Sequence, residues 1–144
     1  MTNLEFKQTV AATLSALGFQ KHGASFVIQE AEVGCIVGLQ KSRFSVGYYL
    51  NAGFLIRSLH PDLSSCDFAD GDVRTRMTAN VGSDAELFEF EKIEHEQLKS
   101  IITDFVRTLV VPSLSVAGLR RIVQSQPVLL YQTTVVAKRA LGIE

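Results

Sequence analysis

Between Val33 and Leu55 the chain runs VGCIVGLQKSRFSVGYYLNAGFL, two segments rich in β-branched and aromatic residues joined by a polar turn, which is the pattern of a β-hairpin. Side chains alternate between the two faces of a strand. Val33, Cys35, Val37 and Leu39 therefore share one face of the first segment, and Val46, Tyr48, Leu50, Ala52 and Phe54 share one face of the second. That face is expected to be core. The opposite face carries Gly34, Ile36, Gly38 and Gln40, then Gly47, Tyr49, Asn51 and Gly53, small or hydrogen-bonding residues where a second packed layer would supply bulk. Such a face is open to water, to a helix lying very close, or to a ligand.

The apolar face of the hairpin needs a covering layer, and the flanking sequence offers helices to supply it. Phe6, Val10, Leu14 and Leu17 recur at helical spacing over residues 3–17, with Thr13 completing the stripe, Thr2 or Asn3 as a cap and Gly18 as a stop. Gly23 to Glu30 is expected to form a first strand, antiparallel to the next. His60 to Gly71, with Pro61, two serines and Asp62, Asp67 and Asp70, has the composition of an exposed loop. Asp72 to Met77 alternates again, placing Val73, Thr75 and Met77 on one face and Asp72, Arg74 and Arg76 on the other. A short fifth strand is expected through Leu87, Phe88 and Phe90.

From Glu94 the period lengthens, because Leu98, Ile101, Ile102, Phe105, Val106, Leu109 and Val110 follow helical spacing. Pro112 stops that helix and can start another, whose stripe is Val116, Leu119, Ile122 and Val123. The last segment, VLLYQTTVVAKRALGIE, suits a third C-terminal helix, with a late strand as the alternative. The expected fold class is α+β: an antiparallel sheet of four to five strands with an N-terminal helix and two to three C-terminal helices packed on one face. With no repeat, linker or low-complexity tract, residues 1–144 are expected to be a single domain.

Composition narrows the function classes. With 14 Lys plus Arg against 15 Asp plus Glu, the chain has no general electrostatic pull toward nucleic acid or anionic lipid, and neither is expected as a partner. MTNLEFKQTV lacks a basic region followed by an apolar core, and the apolar runs are too short to span a bilayer, so a cytoplasmic location is expected. Cys35, in an expected buried strand, and Cys66, in a loop, are expected to be reduced thiols. No glycine pattern makes a phosphate loop or a dinucleotide fingerprint, and no cofactor is expected.

Gly18-Phe19-Gln20-Lys21 after an amphipathic helix, then Phe26, Leu39-Gln40-Lys41-Ser42, Leu50-Asn51-Ala52-Gly53 and Arg74-Thr75-Arg76 together resemble a bacterial family known only as domain of unknown function 4304. The likeness covers about the first 80 residues. Beyond them it extends as a pattern and as the Pro-x-Leu at Pro112 to Leu114. Where the family usually places aromatic residues such as tryptophan after the arginines, this chain has Leu87, Phe88 and Phe90. The resemblance implies the architecture and singles out polar residues, and it implies no activity.

Strand parity brings one constellation together. Gln40, Tyr49, Asn51, Arg74 and Arg76 should all project from the face opposite the core, flanked by Gly34, Gly38, Gly47 and Gly53. A depression with two guanidinium groups, two amides and a phenol suits a carboxylate, a phosphate or an acidic protein segment, since Arg binds such groups bidentately. Lys41, Ser42 and Arg43 could extend its basic rim. The plain alternative is a solvated sheet face whose arginines pair with carboxylates across strands. His60, Asp62, Cys66, Asp67, Asp70 and Asp72 contain metal-ligand chemistry, but their spacing matches neither a zinc pair nor a calcium loop, and no metal is expected. Cys66 lacks a neighbouring base, and Ser64-Ser65 lacks the glycine-flanked elbow of a hydrolase.

The resulting reading is a non-catalytic bacterial binding module that recognises an anionic ligand or a protein partner through Gln40, Tyr49, Asn51, Arg74 and Arg76. One alternative is an enzyme acting on a phosphorylated or carboxylated small molecule, with Tyr49 or His60 as acid or base. Another is a homodimeric interaction subunit that uses surplus apolar surface on the C-terminal helices.

Overall fold

The computed structural model describes residues 1–82 and 84–143. Helix α1, Asn3–Ala16, begins in a reciprocal cap: Thr2 Oγ1 accepts from Glu5 N at 3.1 Å, and the Glu5 carboxylate accepts from Thr2 N at 3.3 Å. Gly18, at φ +99°, turns the chain out of the helix. Five strands follow, β1 Gln20–His22, β2 Ser25–Gln29, β3 Val33–Lys41, β4 Tyr48–Ile56 and β5 Val73–Arg76, paired antiparallel in the order β1-β2-β3-β4-β5. The α+β architecture expected from the sequence is the one observed.

The core lies on the expected face. Val33, Cys35, Val37, Leu50, Ala52, Phe54 and Ile56 are buried under Phe6, Val10 and Leu14 of α1. The same cluster includes Leu98 and Ile102 of α2 (His95–Phe105) and Leu119 and Val123 of α3 (Val116–Ser125). A wide helical turn, Val106–Val110, carries α2 onward to Val111–Ser113, where Pro112 ends it.

Four local expectations differ from what is observed. The fifth strand is β1, separated from β2 by a turn at Gly23 with φ +60°, whereas Leu87 to Phe90 contributes a single bridge between Phe88 and Tyr48. Val46 lies in the hairpin turn and is 55% exposed, because β4 starts only at Tyr48. The C-terminal segment forms two short helices, α4 Pro127–Tyr131 and α5 Val135–Ala140. The β-branched Thr133 and Thr134 break them apart, and Thr133 bridges to Val73 in strand fashion.

The fourth difference concerns the glycine-rich face. His60 to Gly71 is no free loop: its two 3-10 turns, Leu63–Ser65 and Phe68–Asp70, fold back over the sheet. Leu63 sits over Gly34 and packs with Val27, Ile36 and Leu55 in a second small core. Phe68 lies over Gly38, and its carbonyl lies over Gly53. The room that these three glycines leave is filled by the chain itself. Asp72 anchors the loop, since its carboxylate accepts from Ile56 N at 2.8 Å and meets His60 Nε2 at 3.0 Å.

Candidate functional site

The loop covers only part of the face, and beside it a depression of about 370 Å³ remains. Its floor follows from register. Asn51 is directly paired with Arg76, and Gln40 stands opposite Tyr49, one step along. The Phe68-Ala69 turn forms one wall, Val128 and Gln132 of the α4 segment form another, and Glu86 stands at the rim. The α4–α5 connection is pinned along the free edge of β5, where Arg74 N donates to Gln132 O at 3.3 Å and Thr134 N donates to Asp72 O at 3.0 Å.

Asn51, only 5% exposed, organises the floor. Its Oδ1 accepts from Arg76 Nε at 2.7 Å, and its Nδ2 donates to Gln40 Oε1 at 2.9 Å. Gln40 Oε1 also accepts from Arg76 Nη2 at 3.1 Å. The guanidinium lies over the Tyr49 ring, 4.2 Å from its centroid. Its Nη1 is 3.9 Å from Glu86 Oε1, a loose and solvent-exposed pairing. Tyr49 in turn donates its hydroxyl to Asp84 Oδ2 at 2.9 Å. That bond raises the Tyr49 pKa above its ordinary value, with weaker help from desolvation. Asp84 is held below the usual carboxylate range, first by the backbone N–H of Glu86 and then by the Tyr49 hydroxyl.

The network consumes acceptors and leaves donors. Both amide oxygens are occupied by donors from within the cluster, so among the described residues Gln40 Nε2 keeps its N–H groups free for the depression, and Arg76 Nη1 is engaged only by the loose contact to Glu86. Arg74 lines it too, exposed and without a side-chain hydrogen bond or ion pair among the described residues. Gln40, Asn51, Arg74 and Arg76 thus line one depression, and Tyr49 backs it.

A family model described as Domain of unknown function (DUF4304) matches residues 10–116. The chain belongs to the DUF4304 family. No curated protein and no solved structure matches it. The matched segment contains four of the strands' polar contributors, Gln40, Asn51, Arg74 and Arg76, and stops short of Val128 and Gln132. In this DUF4304 chain the depression is therefore completed by residues outside the matched segment.

Other residues considered from sequence fall elsewhere. His60 is engaged with Asp72 and does not line the depression. Lys41 has the parity of Leu39 and emerges on the helix side, so it does not extend the basic rim. Among the described residues no three His, Cys, Asp or Glu side chains converge as a ligand set. Cys35 is fully buried, which pushes its thiol pKa up, away from reactivity. Among the described residues no single helix is long and apolar enough to cross a membrane. Sequence reasoning missed Phe68, Ala69, Glu86, Val128 and Gln132, which reach the site through loop and helix placement and carry no periodic signal.

Proposed function

We propose that this chain is a non-catalytic binding module of the bacterial cytoplasm that holds an anionic group in the depression above Asn51. The group is a carboxylate or phosphate on a small ligand or on an acidic segment of a protein partner. The observation that carries the reading is the donor surplus. Arg76 is fixed by two amide oxygens and a tyrosine ring and is met by Glu86 only at 3.9 Å, while Arg74 and Gln40 Nε2 present N–H groups with no side-chain acceptor among the described residues. A preorganised guanidinium loses little freedom on binding, and bidentate contacts favour oxyanions. Free thiols at Cys35 and Cys66 suit a reducing compartment.

An enzymatic reading draws less support, since the Tyr49 proton is held more tightly than usual and His60 is engaged with Asp72 and does not line the depression. The homodimer reading has one observation in its favour: Val128, Tyr131, Val135 and Val136 are exposed on consecutive turns of α4 and α5, with Tyr131 91% exposed. Light scattering tests it directly.

The test of the binding reading is thermal denaturation with inorganic phosphate, citrate or a short polyglutamate peptide. At least one is expected to raise the Tm of the native chain and to lose that effect in Arg74→Ala and Arg76→Ala. Equal stabilisation of native and variant proteins would remove the site.

A further inference from the structure

A second, separate groove lies on the helix side of the sheet. The parity that turns Leu39 toward the helix side, where it packs against the core, also places Lys41 on that side, paired across the hairpin with Tyr48. Lys21 is paired with Phe26 on the neighbouring strands, and its side chain shares that face. From α1, Lys7 and Ala11, one helical turn apart, close the groove from above. The resulting cavity has a volume of about 360 Å³.

Its floor is apolar and its rim is cationic. Phe26 and Tyr48 are each 5% exposed, with Leu39 and Ala11 half-buried beside them. The Tyr48 ring is held in place on two sides, because its hydroxyl donates to Asn3 Oδ1 at 2.8 Å and its face stacks on Phe6 with centroids 5.5 Å apart. Lys7 Nζ is positioned over the same ring, 5.5 Å from the centroid. Lys7, Lys21 and Lys41 come from three different elements. No carboxylate lines the groove, and among the described residues none of the three lysines forms an ion pair.

Lysine stems often cover apolar surface while their ammonium groups stay in water, and one such residue here would call for no more than that. Three without a counter-charge around one concave apolar floor is a different arrangement. Like charges held together are unfavourable until an anion joins them. Pockets of this size with apolar walls and a few convergent polar groups suit small organic molecules. We infer that the groove between α1 and strands β1 to β4 binds a small organic anion with an apolar body, an aryl- or alkyl-carboxylate whose carboxylate meets Lys7, Lys21 and Lys41 while its body covers Phe26, Leu39 and Tyr48.

The probe is 4-phenylbutyrate, titrated into the full chain by calorimetry, with 4-phenylbutanol as the uncharged analogue. Saturable binding at one site is expected in the micromolar to millimolar range, with the alcohol about tenfold weaker or worse. Lys7→Gln, Lys21→Gln and Lys41→Gln are each expected to weaken the carboxylate by about twofold to fivefold and to leave the alcohol unchanged. All three lysines are exposed, so these variants retain the fold. Arg74→Ala and Arg76→Ala are expected to bind 4-phenylbutyrate as the native chain does, which separates this groove from the depression above Asn51. Absence of saturation, equal binding of acid and alcohol, or lysine variants indistinguishable from native would overturn the inference.

Discussion

Arg76 donates through Nε to Asn51 Oδ1 at 2.7 Å across directly paired positions of β4 and β5, so a nearly buried amide sets the orientation of the guanidinium. Asn51→Ala should keep the fold, since the side chain faces away from the main core. It should lower stability by about 1–2 kcal/mol, because two hydrogen bonds disappear and Arg76 Nε loses its acceptor. Urea unfolding monitored by circular dichroism gives the difference, and a loss of cooperativity would contradict the expected outcome.

The two arginines should separate in their effects on stability. Arg74 has no side-chain partner among the described residues, so Arg74→Ala should change stability by less than about 0.5 kcal/mol. Arg76 is tied to Asn51, Gln40 and Tyr49, and Arg76→Ala should cost about 1–2 kcal/mol. Equal effects in thermal denaturation would mean that the network around Arg76 adds nothing.

Leu50→Asp should abolish folding. Leu50 is wholly buried beneath the helices, and an unpaired carboxylate there costs several kcal/mol against a domain's modest net stability. A variant with a native-like near-ultraviolet spectrum would refute the assigned face.

Gly53→Ala tests the loop seat on the opposite face. A Cβ at Gly53 would collide with the Phe68 carbonyl, which is backbone and cannot swing aside. The expected cost is about 1–3 kcal/mol. Proteolysis should quicken between His60 and Gly71 as the loop lifts; unchanged cleavage there would show that the loop is not seated on Gly53.

The Tyr49–Asp84 bond gives a pH signature with a definite sign. The Tyr49 pKa is raised in the folded chain, so the bond's contribution is complete below the ordinary tyrosine pKa of about 10 and is lost as pH climbs through the folded value. The Asp84 pKa is lowered, so its contribution is present above about pH 4 and fades as pH falls through the folded value. In Asp84→Asn, the absorbance titration of Tyr49 should move down toward the ordinary range. No movement would mean that the bond does not form in solution.

The sequence by itself determined which side of each strand faces the helices, because side-chain alternation is a property of local backbone geometry. Val33, Leu50 and Phe54 in the core and Asn51 and Arg76 on the opposite face all follow from counting by twos, and the amphipathic spacing of Phe6, Val10 and Leu14 supplies the cover. The turn at Gly23 was beyond that reasoning, since three polar residues in β1 carry no alternation of their own.

Tertiary structure decided what fills the glycine-rich face. Leu63 and Phe68 are five residues apart in a polar loop, too sparse for any period, and only the close approach of Gly34, Gly38 and Gly53 shows where they land. It also brought Gln132 to the edge of β5 and gathered Lys7, Lys21 and Lys41 around one groove, each a contact between elements distant in sequence. Periodicity reports the environment along one element, whereas a site depends on which elements meet, and that is settled by packing the whole chain at once.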